Sequence, residues 1–489
     1  MSTLAPRVQP PPASPRAALP PLNPAVIIGV VFVACLAVGA LMAQNPPLAI
    51  GLVVGLCYLP LVLVNLPLGI ALWVPTTFLT GMPGVSAASQ AAGLLIAFAW
   101  FGTLRARAHR EHVHAPRGLL LLVALFIVWL ALSIVWAEAP GDAFAALQPW
   151  LACALMFTVL VTLDLERGQI RTLAFAFLAG VTFSVALGLI GGVEAPTADS
   201  AIRAEGRLSG GLDDPNYLAA GIVPSIAMAA GLLAGVRSAL VRLAMAASVV
   251  ILVLGLAATQ SRGGLIAALV ATAAAVVVAK RARVAVVAFI VIVVGLVAIW
   301  FASSPDAWQR ITDTADQGNG RGSLWKVAGR IASDHPIAGV GLNNYRVYAP
   351  RYVDGPGELT FVNFIAERPH VVHNVYLQML VEVGIVGTAL FLILAGGALA
   401  AAMRAARQYE RNGDLESAAF GRGVFVAILA GLAASFFISN GDGFMLWVLL
   451  ALGPVLLRDA ERDSEGAPAP APVPQAAEPI SRRTPALQA

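Results

Sequence analysis

Three sets of residues in this chain have the types and spacing for chemistry. The first is His370-Val-Val-His373-Asn374, where a long polar stretch gives way to an apolar run through Gly384 and Gly387. An imidazole at the mouth of a hydrophobic helix is placed for proton chemistry at a membrane surface. The second is Asn374, Gln378 and Glu382. Residues four apart share one helix face, which sets Glu382 about 12 Å along the helix from Asn374. A carboxylate at that depth must face protein or water, so the stripe either lines a cavity or pairs inside a helical bundle. The third set is four arginines, Arg203, Arg207, Arg262 and Arg321.

The elements that must position these residues are membrane helices. The chain is 58% hydrophobic and 12% charged, where a soluble domain would carry about 25% charged residues. Apolar runs long enough to cross a hydrocarbon layer of about 30 Å recur throughout. They are continuous rather than alternating, which excludes an outer-membrane barrel. The expected fold is an all-α polytopic integral membrane protein. Candidate spans are 25–43, 47–64, 66–79, 85–103, 118–136, 149–163, 172–192, 216–236, 243–260, 263–279, 284–302, 374–403, 420–439 and 444–457. The runs 66–79 and 444–457 are short, so about 12–14 transmembrane helices are expected. The predicted organisation is a Pro-rich disordered tail 1–24, helices over 25–302, one large loop 303–373, helices over 374–457 and a second disordered tail 458–489.

Charge orients the bundle. One set of alternating loops, with both tails, holds 20 of the 31 basic residues, and the positive-inside rule makes that side the cytosol. The loop 303–373 is then periplasmic and the protein sits multi-pass in the bacterial inner membrane. Arginines on the outer face run against this bias, and an anionic ligand there would account for them, since a guanidinium binds phosphate through a planar fork and stays charged. Arg262, in a tight turn at the membrane edge, is the first such candidate. Other motifs lead away from chemistry. Cys35, Cys57 and Cys153 all lie in apolar runs and read as small buried hydrophobes. Asp213-Asp214 reads as a turn or helix cap before Asn216. His109, His112 and His114 lie in a basic loop assigned to the cytosol, where a solvated role is expected. Gly339-Val-Gly341 follows no strand, so a nucleotide fold is not credible. Gly51/Gly55 and Gly231/Gly235 have the spacing of close helix packing.

Ser261-Arg262-Gly-Gly, Gly318-Asn-Gly-Arg321-Gly-Ser-Leu-Trp325, His335-Pro-Ile-Ala-Gly-Val-Gly-Leu-Asn-Asn-Tyr345 and His373-Asn374 followed by Gly384 and Gly387 occur in this order, and Gly206-Arg207 through Asn216-Tyr precedes them. In this order the motifs resemble the O-antigen ligase and O-antigen polymerase superfamily of bacterial envelope glycosyltransferases over residues 200–400. The resemblance implies a GT-C-like architecture and a metal-independent, inverting glycosyl transfer on the periplasmic face. The donor would be a glycan on undecaprenyl diphosphate. The acceptor would be lipid A–core for an O-antigen ligase in lipopolysaccharide biosynthesis, or another lipid-linked glycan for a repeat-unit polymerase. The His373-Asn374 spacing to Gly384 and Gly387 resembles the ligase signature, whereas fourteen spans is more than a ligase should have. On this reading His373 is the general base and Arg262, Arg207, Arg321 and Arg203 bind the diphosphate. Asn374, Gln378, Glu382, Asn216 and Tyr345 support them. No cofactor, metal or nucleic-acid partner is expected; membrane lipids are. A lipid-linked glycan transporter is the rival class. It would use membrane-embedded charges and inverted repeats, whereas the spans of 25–302 hold almost no charge.

Overall fold

The structure, a computed structural model, describes residues 43–44, 46–107, 116–191, 207–279, 283–304, 308, 320–354, 359, 362–367 and 370–465. Residues 25–42 of the candidate span 25–43, Arg203, the three histidines of the 104–117 loop and most of both tails lie outside the described residues. The chain divides into two units, Met1–Pro60 and Leu61–Ala489. In the first, the described part from Pro46 onward is the front of helix α1 (Pro46–Val64).

The second unit is helical wherever regular structure occurs among the described residues. After α2 (Leu66–Trp73) come α3 (Val85–Arg107), α4 (Arg117–Leu132), α5 (Pro140–Thr162) and α6 (Arg167–Leu189). These are followed by α7 (Pro215–Leu232), α8 (Ala239–Thr259), α9 (Arg262–Val278) and α10 (Arg283–Ala302). The large loop contributes α11 (Arg321–Asp334), α12 (Tyr345–Tyr348) and α13 (Asn363–Ala366). The chain closes with α14 (Val375–Arg411), α15 (Leu415–Ala434) and α16 (Phe444–Glu465). By length and composition eight of the described helices can cross a membrane, and four shorter apolar ones accompany them: Gly51–Val64, Leu66–Phe78, Arg262–Val278 and Val286–Ala302. The protein is therefore an all-α polytopic membrane protein.

Two expected boundaries move. The span expected at 149–163 begins at Pro140, because Pro149 is carried inside α5. The short run 444–457 continues to Glu465 in α16. Its charged last turns are held by partners on other helices: Arg167 meets Asp459 at 3.0 Å, and Arg458 donates to the Val161 carbonyl at 2.8 Å.

Small residues set the closest helix approach. A Cβ built on Gly231 of α7 would lie 3.0 Å from the Gly423 Cα of α15, and the reverse distance is 2.9 Å. Gly51 and Gly55 differ: among the described residues nothing lies within 4 Å of a Cβ at either.

The large loop has a small core of its own. Leu324, Val327, Ala328 and Ile331 of α11 pack with Val340, Tyr345, Ala349 and Ile365, and that cluster closes on Val372 and Val381. The core is thus completed by α14 and is not independent of the bundle.

The attachment is unusual because α14 is broken. Gly384 takes φ 66°, ψ −170°, a conformation essentially reserved for glycine. The break removes helical partners from the preceding carbonyls, and loop residues 335–342 fill the gap. Val340 N–H donates to the Val381 carbonyl (2.9 Å), Gly341 N–H to the Glu382 carbonyl (2.8 Å), and Ile385 N–H to the Pro336 carbonyl (2.9 Å). The Trp129 indole N–H takes the Val383 carbonyl at 2.8 Å. Backbone that cannot reach water must be paired within the protein, and here a loop forty residues upstream does the pairing. The glycines of Gly339-Val-Gly341 serve this approach: a Cβ on Gly339 would sit 2.4 Å from the Glu382 backbone, and one on Gly341 would sit 2.6 Å from Ala137.

Candidate functional site

Asn216, Arg262, Arg321 and Asn374 lie at or next to the start of a helix. Asp214, the N-cap of α7, accepts from Asn216 N–H at 2.6 Å. Ser261, the N-cap of α9, accepts from Gly264 N–H at 3.1 Å and leaves Arg262 as the first helical residue. Arg321 opens α11 after Gly320, which takes φ 79°. Asn374, the N-cap of α14, accepts from Tyr376 and Leu377 N–H at 3.0 and 3.1 Å.

The first two helix starts are bonded together. Arg207 donates from Nε to the Thr259 carbonyl at 2.9 Å and from Nη2 to Asn216 Oδ1 at 3.2 Å. Asn216 Oδ1 also accepts the Ser261 hydroxyl at 2.8 Å. The left-handed Gln260, φ 48°, ends α8 so that the chain can turn into α9. Gly263 and Gly264 let Phe437 and Ala219 approach to 2.6 and 2.7 Å of a built Cβ, which fixes the head of α9.

The second pair of helix starts joins them electrostatically. Burial lowers the Arg321 guanidinium from its usual range; Asp214 opposes the shift and Arg262 adds to it. His373 takes φ 54°, a backbone strain that over-determined sites tolerate. It is held on both sides: Trp325 Nε1 donates to the Val372 carbonyl at 3.0 Å, and Val375 N–H donates to the Ser435 carbonyl at 2.9 Å. Among the described residues its imidazole makes no hydrogen bond. Burial lowers its pKa to about 4, with Arg321, His370 and Arg346 pushing the same way and Asp214 against them. The imidazole is therefore neutral at pH 7. Arg321 is thus coupled to Arg262 and Asp214 on one side and to His373 on the other, which links four helix starts. Each start adds the partial positive charge of its free N–H groups. The assembled site presents an electropositive surface around a neutral proton acceptor.

The stripe below His373 lines a cavity. Gln378 and Glu382 share it with Asn343, Trp150 and Asp442. Gln378 Nε2 lies 3.3 Å from both Glu382 oxygens, and the Asn343 backbone amide also bonds that carboxyl. Lining and pairing, the two readings of this stripe, are both present. Asn374 caps its helix through Oδ1. Tyr345 is buried, and its hydroxyl donates to the Leu324 carbonyl at 3.1 Å, so it braces α11. Two residues that no sequence signal singled out join the group. Arg346 follows Tyr345 and acts on His373. Asp442, in the link between α15 and α16, has its carboxyl pushed up by burial.

Residues 247–392 match the family described as O-Antigen ligase. The match covers less than half of the chain. The matched stretch runs from inside α8, through Arg262, the large loop and His373, past the break at Gly384. It therefore contains Arg262, Arg321 and His373 but neither Arg207 nor Asn216. No curated protein matches the chain.

Proposed function

We propose that this chain is a glycosyltransferase that moves a glycan from undecaprenyl diphosphate to an acceptor hydroxyl, attaching O-antigen to lipid A–core on the periplasmic face of the inner membrane. The observation that carries this reading is the electrostatic link from Arg262 through Arg321 to the neutral imidazole of His373, all at helix starts.

Each group has one task. The acceptor hydroxyl oxygen attacks the anomeric carbon, and its proton passes to an imidazole nitrogen of His373. The bond from that carbon to the diphosphate oxygen breaks, and its electron pair leaves with the diphosphate. Arg262 and Arg321, with Arg207 braced behind Asn216, stabilise the charge that develops there; one such donor is worth about 3–4 kcal/mol. Donor binding also tunes the base. The positive field of Arg321 depresses His373, so an anion that offsets this field raises the basicity of the imidazole when the donor is in place. Attack from the face opposite the leaving group inverts the anomeric centre.

The test is transfer in liposomes from lipid-linked donor to lipid A–core by wild-type, His373→Ala and Arg262→Ala proteins. Loss of product in both variants, with donor binding kept by His373→Ala, is the expected result. Movement of unmodified lipid-linked glycan without transfer would overturn it in favour of a transporter. The glycan profile of a deletion strain separates the two acceptors: long chains left on undecaprenyl diphosphate mark a ligase, and single repeat units mark a polymerase.

A further inference from the structure

Arg346 has no task in the reaction above. Among the described residues it is exposed and makes no hydrogen bond or ion pair. Its neighbours in the loop are occupied. Arg351 forms a two-armed ion pair with Glu138, and Arg330 donates to the Tyr352 and Val353 carbonyls.

Arg346 is nonetheless rigidly mounted. Tyr345 before it is buried and bonded to Leu324. Asn344, also buried, accepts from Ala139 N–H at 2.8 Å and donates to the Leu342 carbonyl at 2.9 Å. The short helix α12 packs against α14. Asn343, three residues before Arg346, lines the cavity that holds Gln378 and Glu382, and Gly341 N–H donates to the Glu382 carbonyl at 2.8 Å; from this position the guanidinium acts on His373, Glu382 and Tyr217. Arg321, by contrast, responds to Arg262 and Asp214. The imidazole thus feels two sets of cations, carried on different parts of the loop. One is Arg321, coupled to Arg262. The other is Arg346, beside the carboxylate that lines the cavity.

A single leaving diphosphate accounts for the first set. The second suits a charge on the molecule that brings the hydroxyl. We propose that Arg346 is a specificity residue that binds an anionic substituent, phosphate or carboxylate, on the acceptor glycan. This rests on the transfer reaction proposed above. It implies that the acceptor is selected by charge next to the reacting hydroxyl and not by sugar hydroxyls alone. A hydrogen-bonded guanidinium–anion contact fixes orientation as well as sign.

The experiment uses the full-length protein in liposomes, saturating lipid-linked donor, and lipid A–core from a strain that makes no O-antigen. Loss of one charged contact raises the acceptor KM of Arg346→Gln about 10- to 100-fold, with donor KM unchanged. Arg346→Lys, which keeps the charge but not the fork, recovers part of the loss. Arg351→Gln, an equal change in loop charge away from the site, leaves acceptor KM at the wild-type value. Dephosphorylated and carboxyl-reduced acceptors identify the group: on the one that lacks it, wild type and Arg346→Gln become equal. The assignment is overturned by a wild-type acceptor KM in Arg346→Gln, by a rise in donor KM instead, by an equal rise in Arg351→Gln, or by a difference that survives on both treated acceptors. If the wild-type protein forms no product, the transfer reaction itself is wrong, and this assignment falls with it.

Discussion

Replacing Gly384 by alanine should pull residues 335–342 out of α14. A side chain there meets backbone atoms only: the built Cβ lies 2.0 Å from the Ile337 carbonyl oxygen, 2.3 Å from its carbon and 2.6 Å from Ala338 N. Backbone cannot swing aside as a flexible side chain can, so the loop must retreat. The φ of 66° adds strain of about 1–3 kcal/mol for any residue but glycine. Three backbone hydrogen bonds join loop to helix, each worth about 0.5–1.5 kcal/mol net. The total is about 3–7 kcal/mol for the docked state. If α14 straightens instead, its own groups pair internally. The loss then falls on the Pro336 carbonyl and on Val340 and Gly341 N–H, all left without partners. Hydrogen exchange reads this directly. Protection at Val340 and Gly341 should fall by about 10²–10⁵, since each 1.4 kcal/mol is tenfold. Gly396→Ala is the control in the same helix, where nothing lies within 4 Å of the built Cβ; it should keep full protection. Unchanged exchange at 340 and 341 in Gly384→Ala would show that the loop does not dock in a broken helix, and the account of how His373 is held would fail.

Arg262→Ala and Arg321→Ala should each lower transfer about 10²–10³-fold at normal expression, the cost of one lost donor to a developing anion; wild-type turnover in either removes it from the mechanism. His373 must be neutral to accept a proton, and its pKa is lowered to about 4. The kcat/KM profile, which reports the free enzyme, should therefore stay level from neutral pH down to about 5 and fall as the pH drops through 4; a fall beginning near 6.5 refutes the buried setting. On the opposite end of the bundle, Arg167 meets Asp414 at 2.7 Å, Asp459 at 3.0 Å and Asp463 at 3.2 Å. Arg167→Ala should cost about 1–3 kcal/mol, read as a lower melting temperature with the per-molecule transfer rate unchanged at assay temperature. An unaltered melting temperature would mean that this network does not brace the helix ends.

Hydropathy and caps made much of the fold readable. Continuous apolar runs identify membrane helices, and Asp214 and Asn374 each stand one residue before a helix that they cap; the cap at Ser261 emerges only in the structure. What could not be read is long-range. The run from Asn374 looks like one helix because hydropathy does not report φ, so the break at Gly384 is invisible until residues 335–342 are seen inside it. Glycines 339 and 341 look like a turn because their partner is some forty positions away. Asp442 lies in a nine-residue link, 435–443, that hydropathy counts as the ends of two spans. Arg346 is one of several loop arginines in the sequence, and only its fixed mounting near His373 separates it from Arg351.

The break and the base belong to one device. Residues 375–383 form a half-helix with His373 and Asn374 at its head. Its tail is clamped by the backbone bonds from Val340 and Gly341 and by Trp129; its head is clamped by Trp325 and by Ser435. An unbroken α14 would pair the 381 and 382 carbonyls within itself and leave the large loop only its apolar contacts with Val372 and Val381. The loop carries Arg321 and Arg346, and the half-helix carries the imidazole, so their relative position depends on those few backbone bonds. A misplacement of 1 Å at a reacting centre can cost about 10²-fold in rate. Placing His373, the proposed general base, on a segment that the cation-bearing loop itself completes makes the two move together, and under the proposed reaction it gives the Gly384 position a catalytic consequence without any contact with substrate.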